Sequence, residues 1–251
     1  DCNVVPAKNY AHDLDAMAAA ITDKTRLVFV TNPNNPTGTW LTQNDIEGFM
    51  AKVPNNVVVV LDEAYFEYVN EADYCDGLTL LADYPNLVVT RTFSKAYGLA
   101  ALRVGYGISS AEIADLMNRV RPPFNVNSFA LSAAIATLGD DDYVVESRAV
   151  NDEGMEYLTR SLDALGLPYI PSVGNFISFE IPDLLFKGLV NQKPAEISAA
   201  EVNDQLLAAG VIIRLIANYE MPNHLRVSIG TKAENEVFVT KLTKILLDAH
   251  S

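Results

Sequence analysis

Two cysteines in 251 residues, Cys2 and Cys75, exclude a disulfide framework, and their isolation excludes the paired spacings of a zinc or dithiol site. They read as reduced thiols, which suits a cytoplasmic protein. Histidine is almost as scarce: His12, His224 and His250 lie far apart and offer no metal-ligand spacing, so no metal is expected. Apolar runs reach only a handful of residues, against the about 20 that a membrane-spanning helix requires. No basic stretch followed by an apolar one is present, so no secretory signal is visible. Positive charge is thin as well. Lysine and arginine number 18 against 32 aspartates and glutamates, a net charge of −14, which argues against nucleic acid and anionic membranes as partners. The acids are spread along the chain apart from Asp140-Asp141-Asp142. An anionic substrate would need arginines placed locally against that field.

What the chain does have is apolar content, 49% of residues, enough to bury a large core in more than one domain. Up to about residue 140, apolar strands alternate with helical stretches at Leu14 onward, Gln43 to Ala51 and Ala111 to Arg119, a rhythm of βαβ units. Asp142 to Leu165 reads as a long helix with apolar spacing at Val145, Ala149, Leu158, Leu162 and Leu165, closed by Gly166 and Pro168. Then come a strand over 175–179, a helix opened by the capping pair Ser198 and Glu201 and closed at Gly210, strands over 211–216 and 225–229, and a last helix opened by Thr231 and Glu234. Phe186 to Glu196 reads as a surface loop. The pattern predicts an α/β fold with a mostly parallel sheet and flanking helices over residues 1–145, and a smaller α+β domain over 146–251.

Three strand ends carry the chemistry. Arg26 to Thr31 is an apolar strand followed by NPNNPTG, Asn32 to Gly38, where two prolines and a glycine force a defined turn and Asn35 is held before Pro36. The strand Val57 to Leu61 has no polar face and is expected at the centre of a parallel sheet, covered on both sides. Asp62 stands at its carboxyl end, where ligands bind in open α/β sheets, and Tyr65 follows three residues later. The third strand, Asn86 to Thr90, leads into TRTFSKAYGLAALR with Thr92, Ser94, Lys95 and Arg103. A lysine amine becomes a nucleophile when its surroundings lower its pKa, and two hydroxyls with a guanidinium can hold a phosphate. Each motif alone reads more plainly: an ordinary turn, Asp62 as a helix cap, Tyr65 as core, Lys95 as a surface lysine.

Taken in order, these motifs resemble the fold-type I pyridoxal 5'-phosphate (PLP) aminotransferases, and within them the histidinol-phosphate aminotransferase family. The likeness runs to the stretch GVIIRLIANYEMPNHLRVSIGTKAENE at 210–236. It implies that Lys95 carries PLP, that Asp62 pairs with the pyridine nitrogen, that Asn35 and Tyr65 contact the ring oxygen, and that Thr92, Ser94 and Arg103 hold the phosphate. It further implies that Arg226, with Arg214 as a second contact, binds the anionic end of the substrate, and that Arg121 reaches a partner subunit's site in a homodimer. Leu215 and Glu220 depart from the family, which often carries proline and glycine there. The implied activity is amino transfer between histidinol phosphate and 2-oxoglutarate, in histidine biosynthesis. Aromatic or other amino donors, an amino-acid-phosphate decarboxylase, a carbon–sulfur lyase and an inactive truncated remnant stay open as alternatives. An amino-terminal part of the family pattern has no counterpart here, which predicts weak PLP binding by this chain alone. It also predicts uncovered apolar surface on the last helix around Val239, Leu242, Ile245 and Leu246.

Overall fold

The computed structural model describes residues 1–182 and 197–249; the expected loop over Phe186 to Glu196 and His250 lie outside the described residues. The chain divides into two compact units, residues 1–35 with 39–147, and residues 36–38 with 148–251. No helix among the described residues is long and apolar enough to cross a membrane.

In the first unit α1 (Leu14–Ala19) and α2 (Gln43–Met50) flank β1 (Leu27–Thr31), and β2 (Val58–Asp62), β3 (Leu87–Thr92) and β4 (Gly105–Ser109) complete one sheet in the order β1-β2-β3-β4. The first two pairings are parallel and the third antiparallel. Thr42 opens α2 as a capping box with Asp45, which satisfies amide donors that the first helical turn leaves unpaired. Its inner side, Ile46, Phe49 and Met50, packs on Val30, Val59, Leu61 and Val89, with Leu14, Met17 and Ile21 around them.

Only that face of the sheet is fully covered. β2 is central and parallel to both neighbours as its sequence implies, but its burial alternates, Val59 and Leu61 buried and Val58 and Val60 intermediate. On β1 the matching open-face residues Leu27 and Phe29 are 55% and 62% exposed. The expectation of cover on both sides is corrected: an uninterrupted apolar run records what a strand tolerates, while cover on this face reaches Val88 of β3, 4% exposed, and leaves β1 open. Asp62, Thr90, Thr92, Gly105 and Gly107 follow the open face by strand alternation and register.

After β4 come α3 (Ala111–Val120), α4 (Ser128–Thr137) and the long α5 (Asp141–Ala164). Sequence periodicity does not reveal α4, because SFALSAAIAT is apolar all round and has no amphipathic period. Asn127 caps it through Ala130 N–H at 2.8 Å, and only Ala130 and Ala134 are buried. The apolar spacing read for α5 holds in its second half alone. Leu158 and Leu162 are buried, whereas Val145 is 68% exposed.

The second unit is an antiparallel sheet of β5 (Tyr169–Ile170), β6 (Phe176–Glu180), β7 (Arg214–Leu215) and β8 (His224–Ser228), ordered β5-β6-β8-β7. α6 (Ala199–Ala208) and α7 (Lys232–Asp248) pack on it, opened by the predicted capping boxes Ser198–Glu201 and Thr231–Glu234. The strand expected over 211–216 shrinks to two residues. Val211 N–H instead closes α6 by bonding Leu206 C=O at 2.9 Å, past Gly210 at φ +84°. The expected exposure of the last helix is also overturned. Leu242 and Leu246 are 0% and 1% exposed and Ile245 is buried, all packed with Phe179, Val202, Leu225 and Phe238; Val239 is partly buried against them. The sheet and α6 between them are enough to cover the inner stripe of α7.

Candidate functional site

The carboxyl ends of β2 and β3 and the start of β4 enclose a pocket of about 550 Å³. Its lining is Asp62, Ala64, Thr90 to Thr92, Ser94, Lys95 and Arg103 to Gly107. Five residues singled out from sequence thus meet in one space, although 41 positions separate the first from the last. Asp62 is the terminal residue of β2, in register with Thr90 of β3. It caps no helix. Beyond β3 the chain turns tightly: Ser94 N–H donates to Thr92 Oγ1 at 3.1 Å, and Gly98 N–H returns to Lys95 C=O at 2.9 Å. Arg103 adopts the left-handed region at φ +54°, and its Nη1 donates to Ser94 Oγ at 3.3 Å and to Ala100 C=O at 2.9 Å.

Asn35 and Tyr65 join from the neighbouring loops, Asn35 Nδ2 donating to the Tyr65 hydroxyl at 3.2 Å. Lys95 Nζ lies 5.0 Å from the centre of the Tyr65 ring. Among the described residues that ring is the sole partner of the ammonium, and the Asp62 carboxylate accepts no hydrogen bond from the protein. An ammonium, a carboxylate and most of the Arg103 fork are therefore open to a ligand carrying both an acceptor and a donor.

Three residues that sequence reading passed over shape the same pocket. Gly105 and Gly107 alternate on β4 and leave its open face bare. A Cβ at Gly105 would meet Arg91 C=O at 2.7 Å, so the close approach of β4 to β3 requires glycine there. Two glycines at i and i+2 on a strand are a readable signal of a bare face. Ala64 carries no such signal.

Behind the site is a charge cluster built on the buried Glu63 and closed by the partly exposed Asp76. Arg91 Nε donates to Glu63 Oε2 at 2.9 Å, and Nη2 reaches Glu63 Oε2 and Asp76 Oδ1, both at 2.7 Å. Gly77 N–H donates to Glu63 Oε1 at 2.7 Å. Burial pushes the Glu63 carboxyl up to about 7, with the Gly77 N–H and Arg91 pulling it down. Burial likewise raises the Cys75 thiol to about 12 and the Tyr74 phenol further still, Glu63 adding to both, so Cys75 is an inert core residue.

The remaining sequence candidates lie elsewhere. Arg121 ends α3, exposed, with Nε and Nη1 on Asn118 and Asn125, both at 3.0 Å. It does not line the pocket. Arg214 and Arg226 belong to the second unit and stand directly opposite each other across β7 and β8. Arg226 is half-buried with its guanidinium 5.0 Å from the Phe176 ring centre. Among the described residues no cluster of three or more His, Cys, Asp or Glu side chains has the geometry of a metal site.

Comparison with known proteins identifies the family. Histidinol-phosphate aminotransferase 2 of Pseudomonas fluorescens Pf-5 is 54% identical over 246 residues, covering 98% of this chain and 63% of its own. Histidinol-phosphate aminotransferase 1 of Nitrosococcus oceani is 51% identical over 244 residues, covering 97% and 62%. This chain therefore spans less than two thirds of the length of either relative. The crystal structure of histidinol-phosphate aminotransferase from Sinorhizobium meliloti, in complex with pyridoxal-5'-phosphate, superposes with a TM-score of 0.85 at 29% identity, over 98% of this chain and 64% of that one. The model of aminotransferase class I and II matches residues 1–242, and the chain belongs to that family.

Proposed function

We propose that this chain serves a PLP-dependent aminotransferase that moves an amino group between histidinol phosphate and 2-oxoglutarate. The observation that carries the reading is the pocket in which the Lys95 ammonium, the Asp62 carboxylate and the Arg103–Ser94 pair open onto one space. The donor set suits PLP: an amine for an aldehyde, a carboxylate for a pyridinium, and a guanidinium with hydroxyls for a phosphate. PLP, when bound, supplies an electron sink for the charge left on the substrate's α-carbon as its proton departs.

The residues divide the remaining work. Asp62 holds a proton on the ring nitrogen by charge. Asn35 and Tyr65, already hydrogen-bonded to each other, orient the ring through its oxygen. Thr92, Ser94 and Arg103 anchor the phosphate. Lys95 Nζ would be the base that carries the α-proton. Arg226 and Arg214, cross-strand neighbours on β8 and β7, receive the anionic end of the substrate. Two copies form a homodimer in the cytoplasm, with Arg121 reaching the partner's site, and the domains divide as 1–145 and 146–251.

A panel of amino donors against 2-oxoglutarate tests the activity, histidinol phosphate giving the highest kcat/KM. Faster turnover of an aromatic donor would reassign the substrate, and carbon dioxide release without keto product would reassign the reaction. Borohydride reduction of the PLP-loaded protein followed by peptide mapping should label Lys95, and label on any other lysine would remove the central assignment.

A further inference from the structure

Glu63 and Arg91 of the charge cluster, and the Phe66 ring against it, are chain neighbours of site residues. Glu63 follows Asp62, Phe66 follows Tyr65, and Arg91 stands between Thr90 and Thr92. Arg91 is the hub. Its guanidinium bonds Glu63 and Asp76 at 2.7 Å each and lies 3.5 Å over the Phe66 ring. The Phe66 ring in turn stands 6.1 Å from that of Tyr74, whose hydroxyl donates to Asn32 C=O at 2.5 Å. Asn32 clasps Leu41 through both halves of its amide, at 2.8 and 3.2 Å, and so fixes the turn that presents Asn35. One guanidinium is thus tied to all three segments that carry the candidate site.

The site does not need this chemistry for its own sake. Arg91 alternates with Thr90 and Thr92, so its side chain leaves the sheet on the side opposite them, and Glu63 is fully buried there. A buried ion pair is weak evidence for stability, since apolar residues of similar volume serve as well or better. Its distinctive property is direction. A planar fork shared between two carboxylates and stacked on a ring fixes distance and angle at once, which an ammonium cannot do. Catalytic groups must be held within a fraction of an ångström, and supporting hydrogen bonds behind them supply that rigidity.

We propose that Arg91 and Glu63 are positioning residues that set the Asp62-to-Lys95 geometry for cofactor and proton transfer. This inference rests on the aminotransferase reading of the pocket. The variants are Glu63→Gln, which keeps the shape, Arg91→Lys, which keeps the charge, and the two combined, each prepared as the PLP-loaded protein. Three measurements are made well below the melting temperature: the pH midpoint of the bound PLP absorption band, the PLP dissociation constant, and kcat against KM.

A positioning role shifts the band midpoint by about half a pH unit or more and lowers kcat roughly tenfold with little change in KM. The double variant should lose no more than the worse single one, since both act through one hub. Arg91→Lys should not rescue, because the fork and not the charge is what matters. If Arg91→Lys does not fold, Glu63→Gln carries the test alone. A lowered melting temperature with unchanged midpoint, affinity and kcat would make the cluster structural and overturn the inference. A parent protein with no PLP band even at saturating PLP would instead bring down the reading of the pocket, and this inference with it.

Discussion

Asp62 sits where a single charge can decide a rate. Its carboxylate closes β2 at the mouth of the pocket and has no protein partner among the described residues, so its charge is available to a cationic ring nitrogen. Asp62→Ala should leave some PLP bound but raise the barrier to α-proton loss by about 3 kcal/mol, the usual cost of removing a fixed partner of developing charge. Pre-steady-state kinetics with an α-deuterated donor would measure it, and parental rates would reduce Asp62 to a strand-end residue. His12 offers a different residue-scale test. Thr31 N–H donates to its Nε2 at 3.3 Å, and Thr31 Oγ1 in turn donates to Asn34 Oδ1 at 2.7 Å, beside Asn35. Burial lowers the His12 pKa, the Thr31 backbone working against it. The neutral ring is therefore the folded form. Its contribution is complete above the ordinary imidazole value near 6.5 and is lost as pH falls through the lowered folded value. Glu63, raised to about 7, contributes in the opposite sense as pH falls, so the His12 contribution is read as a difference: the denaturant midpoint of the parent minus that of His12→Gln should fall over that window. The site residues were legible because each combines a reactive side chain with a strand end. Glu63 and Arg91 were not, because two charged residues in a sequence read as solvated surface until a fold buries them face to face.

At the scale of elements, the capping boxes at Thr42, Ser198 and Thr231 show how far local chemistry reaches, each placing a helix start at the residue the sequence marks. Two of them, at Ser198 and Thr231, are predicted from the sequence alone. α4 was invisible for the opposite reason: its side chains carry no period, so pattern gives no orientation. The retreat of the 211–216 strand to β7 belongs here too, since the backbone amide of Val211 was already committed to α6. α7 gives the sharpest element-scale test, because apolar spacing alone does not say whether anything covers it. Leu242 is fully buried beside Phe238 and Leu246, so Leu242→Ala should cost about 3 kcal/mol by urea denaturation, the mean for emptying such a site. A loss within about 0.5 kcal/mol, as at an exposed position, would mean that α7 is not packed as described. Ser198→Ala should cost about 1 kcal/mol by the same measurement, through one lost cap.

For the whole molecule two opposed surface properties meet. The net charge of −14 disfavours self-association by repulsion. Against it, the first unit exposes large apolar side chains: Phe124 and Phe129 are 97% and 81% exposed, and Ile135 on the same helix as Phe129 is 73% exposed. Single exposed apolar residues need no explanation, but a helix that buries only two alanines while turning phenylalanine, leucine and isoleucine outward is a surface that favours association. The balance predicts a specific salt response. Screening removes the repulsion and leaves the apolar term intact, so association of the protein should rise with salt, where an interface built on ion pairs would weaken. Phe129→Lys combined with Ile135→Lys should abolish that rise. The two lysines bring the net charge closer to zero, so charge alone would favour association, and a decrease can only come from the lost apolar surface. Sedimentation velocity over a concentration series at low and high salt reads the outcome directly. Association that falls with salt in the parent, or persists unchanged in the double variant, would place the contact away from α4.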